Sequence, residues 1–323
     1  MMRYIYLIHG STKPLVESET EQLVAKLIGT KDEFNYSQYD MKETEVKPIL
    51  EDAMTIPFLS DAKAVVINNA FVFTGEKVKT TFEIDIDEIL AFIERFEGPN
   101  YVIFTVYSDK LDERKKIVKK IKANHEVKKI EPLDEQGIKK IIKSTLNENF
   151  KDIKEDALNE MIHLTGIDYG AVMKELDKLV LYSGDASIIT KSDVSQVVSR
   201  SLEQNVFLLT DYITSGKKAE AIHLLKDLIH IKEEPIKLLA LITSQYRLYY
   251  QVKILSEKGF SEQQIAREVK VHPYRVKLSM RKVRQIPLKH LLNVIDACAE
   301  ADYELKSSYM DKVLILELFI LKV

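Results

Sequence analysis

The chain has 323 residues, 46% hydrophobic and 30% charged, with a formal net charge of -3. That length accommodates two or three domains, and the composition is that of a protein able to bury a sizeable core. A single cysteine, Cys298, excludes an internal disulfide and is expected in a reducing, cytoplasmic setting, where it reads as a small core residue. The opening run MMRYIYLIHG is too short for a signal peptide, and the apolar run at 313–323 is too short to span a bilayer.

Residues 3–9 read as a first buried strand, followed by a turn at 10–13 and a helix with Pro14 in its first turn. Its core face is expected to include Leu15, Leu23, Val24, Leu27 and Ile28. A second strand is predicted at 34–39. Val46, Ile49, Leu50, Ala53 and Met54 then share one face of a short helix, and 64–67 form a third strand. A weak helix at 86–96 and a continuous apolar strand at 101–106 follow. A basic helix at 114–122 buries Ile117, Val118 and Ile121, and a short strand is expected at 127–131. Strands alternating with helices imply a mainly parallel sheet covered on both faces. Beyond about 133 no further strand is expected. Helices are predicted at 137–147, 155–165, 171–183 and 191–199, then at 206–215, 217–229, 235–257 and 288–322. The fold class expected is an α/β domain at 1–135, a small helical domain at 136–203 and a larger all-α domain at 204–323.

Between the 46–54 helix and the 64–67 strand lie Ile56, Pro57, Phe58 and Leu59. Loops run over the surface and usually carry polar residues, so four consecutive apolar ones require a reason. Either they fold back onto the core or they are offered to a partner, and this stretch by itself favours the core.

A strand, a glycine turn and a helix at the start of a parallel sheet invite a phosphate-binding reading. The P-loop needs G-x-x-x-x-G-K-[ST], whose amides and lysine cradle phosphates. Here the place reads GSTKPLVES, with one glycine, no Gly-Lys pair and a proline that removes a donor. Asp109, after the fourth strand, reads as a cap or turn residue. The seven histidines are scattered without metal-ligand spacing, and there is no nucleophile elbow. No catalytic residue, nucleotide site, metal site or cofactor is expected.

Residues 258–284 read as a helix-turn-helix. Ser261 caps a first helix bearing Ile265, Ala266 and Val269, and Pro273 opens a second. From 270 to 289 there are seven basic residues and no acidic one, as a major-groove reader requires. The alternative function is therefore a helix-turn-helix DNA-binding regulator. The plainer reading is a helix pair inside a helical domain with a solvated basic face, since side chains suited to base edges are missing at the second helix's start.

Eight segments together carry a resemblance over the whole chain: YLIHGSTKPLVES, MTIPFLSDAKAVVI, YSDKLDERKKIVKKIK, TGIDYGAVMKELDKLVLYSG, ITKSDVSQVV, VFLLTDYITSGKKAEAIHLLKDLI, GFSEQQIAREVKVHPYRV and DACAEADYELKSSYMDKVLILELFIL. In order and spacing they resemble the delta-subunit family of bacterial DNA polymerase III clamp loaders. The resemblance implies an AAA+-like module without a functional P-loop, its helical lid, and a helical collar. It implies no catalytic site of its own, within a holoenzyme classed as a DNA-directed DNA polymerase, a nucleotidyltransferase. The implied partners are the sliding clamp (beta subunit), the tau/gamma ATPase subunits and delta-prime in a heteropentamer, and primer–template DNA, with no membrane, in the cytoplasmic, nucleoid-associated replisome. Thr55, Ile56, Pro57, Phe58 and Leu59 match the family's apolar clamp-binding loop, with Phe58 as its key aromatic and Pro57 where a leucine often stands. Either Ile56 or Leu59 would fill the second pocket. Lys110, Arg114, Lys115 and Lys119 are the candidate DNA-phosphate contacts, their plain alternative being a solvated helix face.

Overall fold

Short runs of β-branched and aromatic residues separated by amphipathic helices build the first half of the chain. The structure, a computed structural model, describes residues 4–57 and 60–323. It divides into two compact units, Met1–Pro132 and Leu133–Val323.

In the first unit, β1 (Ile5–His9), β2 (Tyr36–Asp40), β3 (Ala64–Asn68), β4 (Tyr101–Val106) and β5 (Glu126–Lys129) form one sheet in the order β2-β3-β4-β1-β5. Every pairing is parallel, with Leu7 opposite Phe104 and Val66 opposite Ile103. The helices are α1 (Lys13–Ile28), α2 (Val46–Met54), α3 (Ile86–Arg95) and α4 (Lys116–Asn124). Successive strand residues face opposite sides, so the two faces have separate cores. Ile8, Val66 and Ile103 pack with Val16 and Val24 of α1. Leu7, Val65, Ile67, Val102 and Phe104 pack with Ile49 and Ala53 of α2, Ile89 and Ile93 of α3, and Val118 and Ile121 of α4. Central strands buried on both faces cannot alternate apolar with polar, which is why β3 and β4 read as continuous apolar runs.

The second unit is helical: α5 (Glu135–Glu148), α6 (Glu155–Thr165), α7 (Tyr169–Tyr182), α8 (Lys191–Val197), α9 (Leu202–Thr214), α10 (Lys218–His230), α11 (Pro235–Glu257), α12 (Glu262–Val269), α13 (Pro273–Val283), α14 (Leu288–Ser307) and α15 (Lys312–Lys322). The long α11 carries Leu238, Ile242, Tyr246, Tyr249 and Val252 into a core shared with α9, α10 and α12 to α15. Two expectations change here. A parallel pair of two-residue strands, β6 (Asp152–Ile153) and β7 (Ile188–Ile189), joins segments where no strand was expected. Strands so short carry no periodicity to detect. The helix expected over 288–322 is two helices, because the Asp311 carboxylate accepts the amides of Val313 and Leu314 and starts α15 afresh. No helix among the described residues is long and apolar enough to cross a membrane.

Candidate clamp-binding loop and basic faces

Helix α2 has no acidic first turn and no side-chain cap; its burial of Val46, Ile49, Leu50 and Ala53 holds it in place. Met54, expected on that buried face, is 60% exposed, because the helix ends there and Thr55 turns extended. Ile56 follows, 83% exposed, and Pro57 is half-buried. Phe58 and Leu59 lie outside the described residues. Of the predicted loop residues, the structure therefore places Thr55, Ile56 and Pro57 on the surface edge of the first unit.

Both stems of this loop are held by one residue that the sequence reading missed. Asn100, fully buried just before β4, donates its side-chain amide to the carbonyls of Ala53, at 2.8 Å, and Thr55, at 2.7 Å. Its side-chain oxygen accepts the Lys63 amide at 3.2 Å on the other stem. The Lys63 ammonium reaches back to Asp52 at 2.5 Å, and the Tyr101 amide donates to the Lys63 carbonyl at 2.7 Å. A helix end leaves carbonyls without intrahelical partners, and here a side chain from a distant strand supplies the donors. Nothing in the local pattern around GPN marks such a role; only the pairing of β3 with β4 brings it to the loop. Beside the loop, Leu50 and Met54 of α2 and Phe92 and Phe96 at α3 line an open groove of about 530 Å³.

At the β1–α1 turn, where a P-loop would bind phosphate, the backbone is already engaged. The Ser11 amide donates to the Asp109 carboxylate at 3.1 Å, so an anion of the chain itself occupies a turn donor. A Cβ at Gly10 would stand 2.5 Å from the Ile130 carbonyl oxygen, so the tight passage of β1 past the end of β5 requires glycine. Lys13 pairs with Glu17 and lies 5.2 Å over the Tyr107 ring. Burial pushes the Tyr107 phenol up to about 12, with Glu17 adding to the shift. His9 meets the Ser108 carbonyl through Nδ1 at 3.1 Å, and burial lowers its pKa. No group of three or more metal-ligating side chains converges among the described residues.

Four of the eight basic residues of segment 110–128, Arg114, Lys120, Lys122 and Lys128, pair with carboxylates of their own unit. Arg114 grips Asp112 with two bonds of 2.8 Å, and this guanidinium holds the Asp112 carboxyl down to about 2. Lys120 pairs with Glu94 at 2.8 Å and Lys122 with Glu113 at 2.5 Å. The Lys115 ammonium donates to the Val72 carbonyl at 3.0 Å. Lys110, Lys116 and Lys119 remain exposed, without an ion pair among the described residues.

The predicted helix-turn-helix is present, but its second helix is packed into the unit. Ser261 and Gln264 form a capping box on α12, Lys270 turns left-handed at φ 55°, and His272 caps α13. Val276, Ser279 and Val283 are buried. Arg275 bonds Glu203 at 2.9 Å and Gln245 at 3.1 Å, Lys277 bonds Glu135 at 2.8 Å, and Lys282 pairs with Asp211. These three of the seven basic residues tie α13 to α5, α9 and α11, while Lys270, Arg281, Arg284 and Lys289 stay exposed without an ion pair among the described residues.

His272 Nδ1 accepts the Tyr274 amide at 3.2 Å, which requires a neutral ring. Burial pulls its pKa below the ordinary value, against the opposing pull of Asp134 and a bond to the Leu133 carbonyl. The unfolded chain therefore takes up the proton at higher pH than the folded one. The stability contributed by the neutral ring is complete above the ordinary value of 6.5 and is lost as pH falls through the folded-state value. The variant His272→Asn keeps a capping oxygen without the titration. Its Tm is expected to fall less steeply than wild type below about pH 6.5, followed by circular dichroism across a pH series. His9, whose pKa is lowered likewise, leaves a residual slope of the same sign in both proteins.

Comparison with known proteins gives a consistent result. Residues 6–131 match the family model described as DNA polymerase III, delta subunit, and residues 203–323 match the model of its C-terminal domain. The chain is 33% identical over 322 residues to DNA polymerase III subunit delta of Bacillus subtilis (strain 168), covering 98% of this chain and 92% of that one. It is 25% identical to the probable DNA polymerase III subunit delta of Aquifex aeolicus (strain VF5), covering 98% and 90%. A solved Bacillus subtilis DNA clamp loader delta protein superposes with a TM-score of 0.72 at 32% identity, over 99% of this chain and 95% of that one.

Proposed function

The chain belongs to the DNA polymerase III delta-subunit family, and from that premise we propose that it binds the sliding clamp through residues 55–59 and holds the clamp ring open for loading onto primed DNA. The observation that carries this reading is the loop itself. The chain leaves α2 at the exposed Ile56, the first of four consecutive apolar residues, and both stems of this loop are pinned by Asn100. Pinned stems limit the entropy lost when the loop meets a partner. A large aromatic entering a preformed apolar pocket is the usual anchor of a compact interface, and burying it contributes about 1.5–3 kcal/mol. Contacts made only with the opened interface shift the ring's population toward that form without any fuel consumed by this chain.

On this reading the first unit acts as an AAA+-like module that hydrolyses nothing. The carboxylate on the Ser11 amide and the single glycine of the turn leave it without a phosphate cradle. Residues 136–203 serve as the lid and 204–323 as the collar that joins a heteropentamer with the tau/gamma ATPases and delta-prime, in the cytoplasm. Of the four candidate cations, Lys110 and Lys119 are the ones free to meet the phosphates of primer–template DNA, beside the equally exposed Lys116. Arg114 and Lys115 contribute less, being engaged within the unit.

Mixing the purified chain with the sliding clamp in nucleotide-free buffer tests the reading. Calorimetry is expected to give a saturable complex whose affinity ATP leaves unchanged. Absence of binding, or binding only with ATP, overturns it.

A further inference from the structure

Helix α5 ends in a Schellman motif. The Phe150 amide donates to the Asn147 carbonyl at 3.0 Å, and the Lys151 amide to the Leu146 carbonyl at 2.9 Å. The residue at the turn is Phe150, with φ +57°. Glycine is the usual occupant, because a Cβ in left-handed geometry crowds the backbone. Helices α7, α9 and α11 of this chain do place Gly184, Gly216 and Gly259 just past their ends, each at positive φ. A bulky residue in this conformation is an outlier that local packing must offset. Phe150 has no such offset within the chain: it is 92% exposed.

Its surroundings share that character. The Lys151 ammonium donates to the carbonyls of Gly184 and Ala186, and the Asp152 amide donates to Ser187, so residues 147–152 lie against 184–188. Leu181, 82% exposed, and Tyr182, also exposed, are the last two residues of the helix leading into that segment. In the β6–β7 register Asp152 stands beside Ile188, and both are exposed while Ile153 and Ile189 are buried. The charged residues of 147–154 and 181–188 are Glu148, Asp152, Asp185 and Lys154, all exposed, and the buried Lys151, whose ammonium bonds the two carbonyls, so the exposed charge is predominantly acidic.

We propose that this surface docks a protein segment carrying apolar side chains flanked by lysines or arginines. Phe150, Leu181 and Ile188 offer the apolar contact, and the three carboxylates supply the complementary rim that selects and orients a basic partner. The same carboxylates disfavour DNA and anionic lipid. They also disfavour symmetric pairing with a second copy, which would set acid against acid. The surface lies apart in sequence from the clamp-binding loop, and the proposal stands independently of that reading.

The probe is a fluorescent amphipathic helical peptide of leucine and lysine, with a leucine–glutamate counterpart, titrated against the full chain by anisotropy. Wild type is expected to bind the lysine peptide and not the glutamate one. The pair Phe150→Gly and Leu181→Ser is expected to weaken binding about tenfold or more. The pair Asp152→Lys and Asp185→Lys is expected to weaken the lysine peptide several-fold and admit the glutamate peptide. Phe150→Gly alone is expected to raise Tm by about 2–4 °C, since glycine relieves the turn and the exposed ring contributes no packing. Unchanged peptide binding in both double variants overturns the proposal, as does a lowered Tm for Phe150→Gly, which would mean the ring is a packing element.

Discussion

Replacing Phe58 and Leu59 together by alanine is expected to abolish measurable binding to the sliding clamp while leaving the thermal melt where it is. If the loop is the anchor, truncating a central aromatic and its apolar neighbour removes about 2–4 kcal/mol, or roughly 30- to 1,000-fold in affinity. Titration calorimetry against the clamp and a differential scanning melt on the same samples separate the two readings that the apolar run permits. Lost binding with an unchanged melt assigns the loop to the partner. A much earlier melt assigns these side chains to the core of the first unit, and the clamp contact must then be sought elsewhere. Single variants at Ile56 and Leu59 extend the experiment, the larger loss marking which of the two fills the second pocket.

The second large effect is expected at Asn100, which touches no partner. Asn100→Ala removes two donors and one acceptor from a fully buried position, stranding the carbonyls of Ala53 and Thr55 and the amide of Lys63. Each buried polar group left without a partner costs about 1–3 kcal/mol, so a loss of roughly 3 kcal/mol is expected after relaxation. Asn100→Asp is expected to be worse at neutral pH, because a carboxylate would face two carbonyl oxygens instead of donating to them. Denaturant titration measures the loss. Clamp affinity should fall with it by about three- to tenfold, since loosened stems raise the entropy cost of binding. The signatures differ: the Phe58 and Leu59 substitutions move binding without stability, and the Asn100 substitutions move both. Unchanged stability in Asn100→Ala would mean that water replaces the side chain and that the stems are not held by it.

Much of the architecture was legible from pattern alone. The strand at 101–106 and the helices at 155–165 and 235–257 fall where their apolar patterns placed them. The β1 turn and Pro14 at the head of α1, and the helix-turn-helix with its Ser261 cap, likewise follow from local chemistry. Family membership was legible too, because eight weakly marked segments in fixed order are jointly specific. Half of the candidate loop, its apolar composition, could be read directly; the structure adds the exposure of Thr55 and Ile56 and the anchoring of the stems.

Other features depended on contacts between residues far apart in the chain. Met54 has the right period for burial but is the last residue of α2, 60% exposed where Thr55 turns extended. Asn100 gains its role only when β4 aligns beside β3 and meets the end of α2. Within the basic run at 270–289, Arg275, Lys277 and Lys282 read as free cations until Glu203, Glu135 and Asp211, from other helices, meet them. Composition, periodicity and caps are properties of neighbouring residues, and they determined the kinds of elements, their order and the family of this chain. Which charges are spent on each other, which apolar residues stay at the surface, and what holds the loop are decided by distances across the fold, because a side chain's free energy depends on partners that sequence spacing does not specify.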